Sequence, residues 1–419
     1  MGERRTPQRS ALLAGLVAIA LVAGCSGSTA SNAGSTSTTA TTTAAHAVTT
    51  TTPPRSAKPE QYTGPLDGFY RVPKPLPHGA PGTLIRVQAM GTADGATSIR
   101  VMYHSRDARH LDRAVTGVIT YPTAAAPKGG WPVVSWAHGT TGLTSICAPS
   151  RAATPAPDFG IQGVRVATDY LGLGPIGERH AYLDGPSEAY SVIDAVRAAR
   201  FIPAAHASTR WVAVGHSQGG HAALWTNQLG ATYAPELQLL GTVTVAPASV
   251  LQKTFGPSDQ VVPRMVGIMA LYGMATDHPE LRPDDYVGAQ VKAKAGIIDH
   301  GCLDDIVNAM VTIPAKTFYK VDPRTHDPAK SLLIADDPGH VKVASPLLLV
   351  WGTADPEVVP ARAQYLFHQL CHIGQVTQIT KVEGAGHGTV VAMGAAPITA
   401  WLKARIAGKP APDSCPNAG

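Results

Sequence analysis

Charge is scarce in this chain. Only 15% of its 419 residues are Asp, Glu, Lys or Arg, and aromatic residues make up 6%. Disordered chains carry much charge and little apolar surface. Here apolar residues reach 44%, enough to build a large core. The net charge of +5 is small and scattered, so no basic footprint for nucleic acid is present. No apolar run reaches the ~20 residues that a membrane-spanning helix needs. Cysteine is sparse, five in all, and no CxxC pair offers a zinc-binding spacing. No internal repeat is visible.

What is present begins with an address. Arg4, Arg5 and Arg9 precede an apolar run of 13 residues, 11–23. That length suits the core of a signal peptide rather than an anchor. The run ends Leu21-Val22-Ala23-Gly24-Cys25, which resembles a bacterial lipobox. Removal of residues 1–24 and lipidation of Cys25 are therefore expected. That would place the protein in a bacterial cell envelope, on the outer face of the cytoplasmic membrane, with plain secretion as the alternative. Arg4-Arg5 lacks the apolar residues that follow the pair in a twin-arginine signal. Residues 26–52 hold 16 Ser or Thr among 27, with almost nothing to bury, so 25–60 reads as a flexible tether. Four cysteines remain, Cys147, Cys302, Cys371 and Cys415. In an exported chain they suggest two disulfides, with three possible connectivities.

After the tether, short β-rich runs occur at 83–88, 98–104, 114–121, 132–137, 163–169, 210–215, 239–246, 346–352 and 376–382. Several are almost wholly apolar, as strands buried on both faces of a parallel sheet are. Helical patterns lie between them. Residues 187–200 place Ala189, Val192, Ile193, Val196 and Ala199 at helical spacing, with Glu188 at the start and Arg197 and Arg200 at the end. This alternation predicts an α/β fold with a mostly parallel central sheet. Residues 248–340 break the rhythm and read as a helical cap or lid. They divide the core into 61–247 and 341–419.

Residues 215–219 read Gly215-His216-Ser217-Gln218-Gly219, between a buried strand and a helix expected to end at Gly230. A sharp strand-to-helix turn needs small residues on both sides of the Ser. Its Oγ then projects beside a helix N-terminus, as a nucleophile does. A hydroxyl nucleophile needs a base, and the base needs an orienting acid. Asp355 follows the strand 346–352 and is the expected acid, with Glu357 as fallback. His387, flanked by Gly386 and Gly388 after the last strand, is the expected base. His372 reads as a surface residue. The oxyanion donors should be the Gln218 N–H and one from the loop Trp136-Ala137-His138-Gly139-Thr140-Thr141-Gly142. Thr140 is the first choice there, Gly139 the second, and His138 is expected to pack beneath the loop. Gly172 to Gly177 matches G-x-G-x-x-G, but Pro175 interrupts it and no helix opens there, which argues against a dinucleotide. Asp169 is a candidate brace for the site loops. His300-Gly301-Cys302 reads as disulfide context rather than a metal site.

These residues together resemble the secretory lipases of the LIP type, within the α/β-hydrolases. The resemblance spans roughly residues 80–415. It rests on the Trp136–Gly142 loop, Cys147-Ala148-Pro149, Asp169-Tyr170-Leu171-Gly172-Leu173-Gly174 with His180 and Tyr182, the elbow with Gly220, Gly352-Thr353-Ala354-Asp355 with Val358-Val359-Pro360, and Gly384-Ala385-Gly386-His387. It implies hydrolysis of carboxylic esters, often acylglycerols, beneath a helical lid, with Ser217, Asp355 and His387 as the triad. No metal or organic cofactor is implied. It also implies the pairs Cys147–Cys302 and Cys371–Cys415. The expected partners are an acyl-ester or lipid substrate and, through Cys25, a membrane. A peptidase or acyltransferase could use the same triad, and the acidic residues Asp284, Asp285, Asp299, Asp304 and Asp305 of the cap leave room for a cation-binding pocket. A non-catalytic envelope lipoprotein is the third reading.

Overall fold

The computed structural model describes residues 58–417. The signal segment, Cys25 and the tether up to residue 57 lie outside them. Ten strands form one sheet: β1 (Glu60–Gln61), β2 (Leu84–Ala93), β3 (Ala96–Arg106), β4 (Asp112–Pro122), β5 (Trp131–Ala137), β6 (Val164–Thr168), β7 (Ala207–His216), β8 (Gln238–Val245), β9 (Leu347–Gly352) and β10 (Thr377–Val382). Their spatial order is β1-β2-β3-β4-β6-β5-β7-β8-β9-β10. From β6 to β10 every neighbouring pair is parallel, whereas β2, β3, β4 and β6 meet antiparallel.

The parallel strands are the apolar runs of the sequence. All six residues of β9 are buried, as are Trp211 to Gly215 of β7. Each such Val or Leu contributes roughly 1.5–3 kcal/mol by leaving water, which outweighs the modest β-propensity differences among alternatives. Helices cover both faces. Gly185–Arg200 packs over β3, β5 and β6, with Val192, Ile193 and Val196 in the core cluster of that face. Ala395–Ile406 covers the other face through Ile398, Trp401 and Leu402.

Between β8 and β9 the chain forms short helices and two longer ones, Val261–Met274 and Leu303–Met310. They enclose a separate apolar cluster around Met265, Ile268, Met269, Ile306, Met310 and Phe318. No strand element occurs in this insertion, as its sequence pattern implies.

One boundary differs from expectation. The helix after Ser217 runs Gln218–Tyr233, so Gly230 lies inside it. A Cβ at Gly230 would come within 3.3 Å of Leu239 on β8. The glycine therefore serves close helix–sheet packing rather than a helix end.

Candidate active site

Four segments converge at the carboxyl ends of β5, β7, β9 and β10. Ser217 sits between β7 and the helix Gln218–Tyr233 with φ +57°, the strained conformation of a sharp elbow. A Cβ at Gly215 would collide with the Gly219 carbonyl, and one at Gly219 with the Ala137 carbonyl. Both positions thus require glycine. Ser217 donates its backbone N–H to Val245 on β8, which anchors the turn.

His387 Nε2 lies 2.9 Å from Ser217 Oγ, and His387 Nδ1 lies 2.8 Å from Asp355 Oδ2. Asp355 follows β9, and its other oxygen accepts the Glu357 and Val358 N–H groups. Burial pushes its carboxyl up. The His387 hydrogen bond and charge, with the two backbone donors, outweigh this and hold it below the usual carboxylate range. Glu357, the fallback acid, stands on the wrong side of the ring. Its Oε2 is 3.6 Å from Nε2, not Nδ1. Asp355 therefore stands against Nδ1, and Glu357 stands on the Nε2 side of the ring, where Ser217 lies.

Among the described residues, neither the Gln218 nor the Thr140 N–H meets a backbone acceptor. Gln218 opens its helix, where unpaired N–H groups and the helix dipole favour negative charge. The Thr140 hydroxyl bonds Tyr182 OH at 2.8 Å. Gly139 approaches Ser217, since a Cβ there would stand 3.5 Å from the Ser217 Cβ. His138 lies beneath this loop, with its ring nitrogen 2.6 Å from the Gly139 carbonyl and its ring 4.5 Å from Tyr170. Burial lowers its pKa.

Two spaces meet at Ser217. A narrow cavity of about 40 Å³ is lined mainly by apolar residues, including Pro247, Phe255, Pro263 and Val358. An open cleft of about 620 Å³ runs past the 138–141 loop, Ile146, Pro149 and Leu303. Ser217, His387, Glu357, Val262 and Val266 line both. None of the five cap aspartates does. Asp284, Asp285 and Asp299 instead pair with Lys292, Arg282 and Arg179.

The disulfides are Cys147–Cys302 and Cys371–Cys415. The first joins the insertion to the core beside the 138–142 loop, where Gly142 pairs with Cys302 and Leu303 N–H bonds Thr141 O. His300 and Gly301 are its neighbours, and no cluster of metal-ligating side chains occurs among the described residues. Asp169 does brace the site loops, accepting from Ser150 N–H and from the Ser150 and Thr116 hydroxyls. The Gly172 to Gly177 run is a turn with no helix before Gly185. His372 is exposed at the end of helix Pro360–His372.

Sequence reasoning missed two features. His216 sits 4.7 Å from the His387 ring, and its Nε2 bonds the His387 carbonyl at 3.0 Å. Burial, with the nearby His387 charge, brings its pKa down to about 4, so it is neutral and donates there. Glu188 reads as a helix-dipole partner, yet it is fully buried against Gln218 and His221. The available signal was its register: Glu188 shares a helix face with Val192 and Val196, an apolar stripe where a carboxylate demands partners.

A mostly parallel sheet with a serine on the elbow after β7 defines an α/β-hydrolase. Residues 160–414 match the secretory lipase family, and the chain belongs to that family, among the carboxylic ester hydrolases. Lipase A of Moesziomyces aphidis is 24% identical over 267 residues, 60% of this chain and 56% of that protein. The chain thus spans little more than half the length of that relative. Lipase 6 of Candida albicans is 23% identical over 392 residues, 83% of each chain. The X-ray structure of Candida antarctica lipase A superposes with a TM-score of 0.68 at 17% identity, covering 84% of this chain and 88% of that one.

Proposed function

We propose that this chain is a lipase or esterase that cleaves acyl esters through a covalent acyl-enzyme on Ser217. The observation that carries the reading is the unbroken relay from Ser217 Oγ through His387 to Asp355, at the junction of a cavity and a cleft.

His387 Nε2 takes the Ser217 proton as Oγ attacks the ester carbonyl. The Gln218 and Thr140 N–H groups receive the oxyanion, each donor being worth roughly 10²–10³ in turnover. His387 then protonates the departing alcohol. Water, deprotonated by His387, releases the carboxylic acid and restores Ser217. Asp355 holds the Nδ1–H tautomer and offsets the imidazolium charge throughout. No step calls for an organic cofactor or metal. The cavity is much the smaller of the two spaces, so the larger arm of the ester occupies the cleft. Residues 248–340 act as the lid, and Val262 and Val266 on its longest helix face the reacting atoms.

Hydrolysis of p-nitrophenyl esters from short to long acyl chains tests this, with Ser217→Ala in parallel. Turnover by the wild type with a loss of about 10⁴-fold or more in the variant is expected. Equal turnover by both proteins overturns the assignment, and the chain-length optimum separates esterase from lipase. Export as a lipoprotein through Cys25 is part of the same proposal. Detergent-phase partitioning of the wild type, lost in Cys25→Ser, is the expected result.

A further inference from the structure

Behind the reacting atoms lies a buried polar chain that the reaction above does not use. Glu188 accepts three hydrogen bonds: Leu183 N–H at 3.0 Å, Gln218 Nε2 at 2.7 Å and His221 Nδ1 at 2.8 Å. His221 also meets a carbonyl, that of Asp336, through Nε2 at 2.8 Å. Both ring nitrogens thus face acceptors, the arrangement of an imidazolium, and it compensates the buried carboxylate. His180 donates Nδ1–H to the Leu171 carbonyl at 2.8 Å, so its Nε2 carries the lone pair and accepts from Gln218 at 2.6 Å. Both N–H bonds of the Gln218 carboxamide are therefore taken. On the far side of His180, Tyr170 stacks with ring centroids 5.4 Å apart and donates its hydroxyl to the His138 carbonyl at 2.8 Å. That peptide leads directly into Gly139 and Thr140.

A backbone N–H donor requires no side chain. A fully buried carboxamide at the same residue costs desolvation unless every polar atom is held. Here its nitrogen is held by two partners, one of which stacks on the residue that holds the other oxyanion segment. We propose that Glu188, His180 and Tyr170 are positioning residues which, through the Gln218 side chain and the His138 carbonyl, fix the spacing of the two oxyanion N–H donors. None of the three touches substrate. The inference rests on the reading of those two N–H groups as the oxyanion hole. Small errors in donor position matter, because the donors must meet the oxygen of the transition state rather than that of the ground state.

Gln218→Ala and the near-isosteric Gln218→Met both keep the backbone N–H and remove the clamp. With p-nitrophenyl butyrate, either variant should lose roughly 10- to 100-fold in kcat, with KM within about twofold. Affinity for an aryl trifluoromethyl ketone, whose adduct with Ser217 carries an oxyanion, should fall by a matching factor. Tyr170→Phe, which loses only the hydroxyl, should show the same pattern more weakly, and it serves where the Gln218 variants do not fold. Wild-type kcat in folded Gln218 variants overturns the proposal. So does a loss confined to KM, or one that tracks a fall in Tm with ketone affinity unchanged. Ser217→Ala runs in the same assay. If it retains turnover, the underlying function has failed, whereas loss there with intact Gln218 variants rejects the positioning role alone.

Discussion

At the scale of single residues, two carboxylates compete for one imidazole, and geometry decides between them. Asp355 reaches Nδ1 at 2.8 Å, while Glu357 faces Nε2 at 3.6 Å. Asp355→Asn should therefore lower kcat by roughly 10³- to 10⁴-fold, because an amide no longer enforces the required tautomer. Glu357→Gln should stay within about tenfold of wild type, since no relay hydrogen bond depends on it. Steady-state kinetics of the two variants on one ester checks both, and a reversed order would reject the assignment. Asp355 is held below the usual carboxylate range, so it remains ionised through mildly acidic solution. A loss of activity between about pH 7 and 5 must then come from another group. That Ser217, Asp355 and His387 come together was legible in the sequence because each stands at a strand end in a fixed chain order. The links among Glu188, His180, His221 and Gln218 were not, because they depend on side chains that only the folded sheet brings together.

At the scale of elements, the nine longer strands were visible as β-rich runs, and the central ones such as β9 stand out because burial on both faces leaves no alternation to hide them. β1, two exposed residues at the edge of the sheet beside β2, carries no such signal. Gly230 misled for a related reason: a glycine that relieves packing looks like one that ends a helix until Leu239 is seen beside it. The elbow glycines were read correctly because their need is local. Gly219→Ala should abolish soluble, active protein or lower Tm by several degrees, as the added methyl has only backbone to meet. Differential scanning fluorimetry beside activity would show it. The two disulfides should separate in effect. Cys371–Cys415 ties the C-terminal segment to helix Pro360–His372, and its removal as a double Ser variant should lower Tm while leaving kcat near wild type. Cys147–Cys302 stands where the insertion pairs with Gly142, so its removal should lower kcat as well as Tm. Equal kcat in the two variants would show that the oxyanion loop does not lean on the insertion.

At the scale of the whole molecule, the insertion rejoins the core through a seam of buried acids. Asp336 follows the last helix of the insertion, Ala329–Ala335. Its Oδ1 accepts the Gly185 N–H that opens the helix Gly185–Arg200, and its carbonyl receives His221 and Trp225. Burial first, and then the neighbouring Asp184 carboxylate, push its pKa up to about 8, against the pull of Gly185 N–H, His221 and His278. The folded protein thus binds a proton there that the unfolded chain, with a carboxyl near pH ~4, releases. Its contribution to stability is complete below that unfolded value and is lost as pH rises through about 8. Asp336→Asn keeps the oxygen that Gly185 needs and imitates the neutral acid. The variant should match wild type near pH 4. It should then exceed it in Tm by an amount that grows with pH, to about 2 °C or more above pH 8. A Tm difference independent of pH would place the proton elsewhere in the seam. If the gap grows as expected, ester turnover in the same samples would report whether loosening this junction reaches Gln218, one helix away through His221 and Glu188.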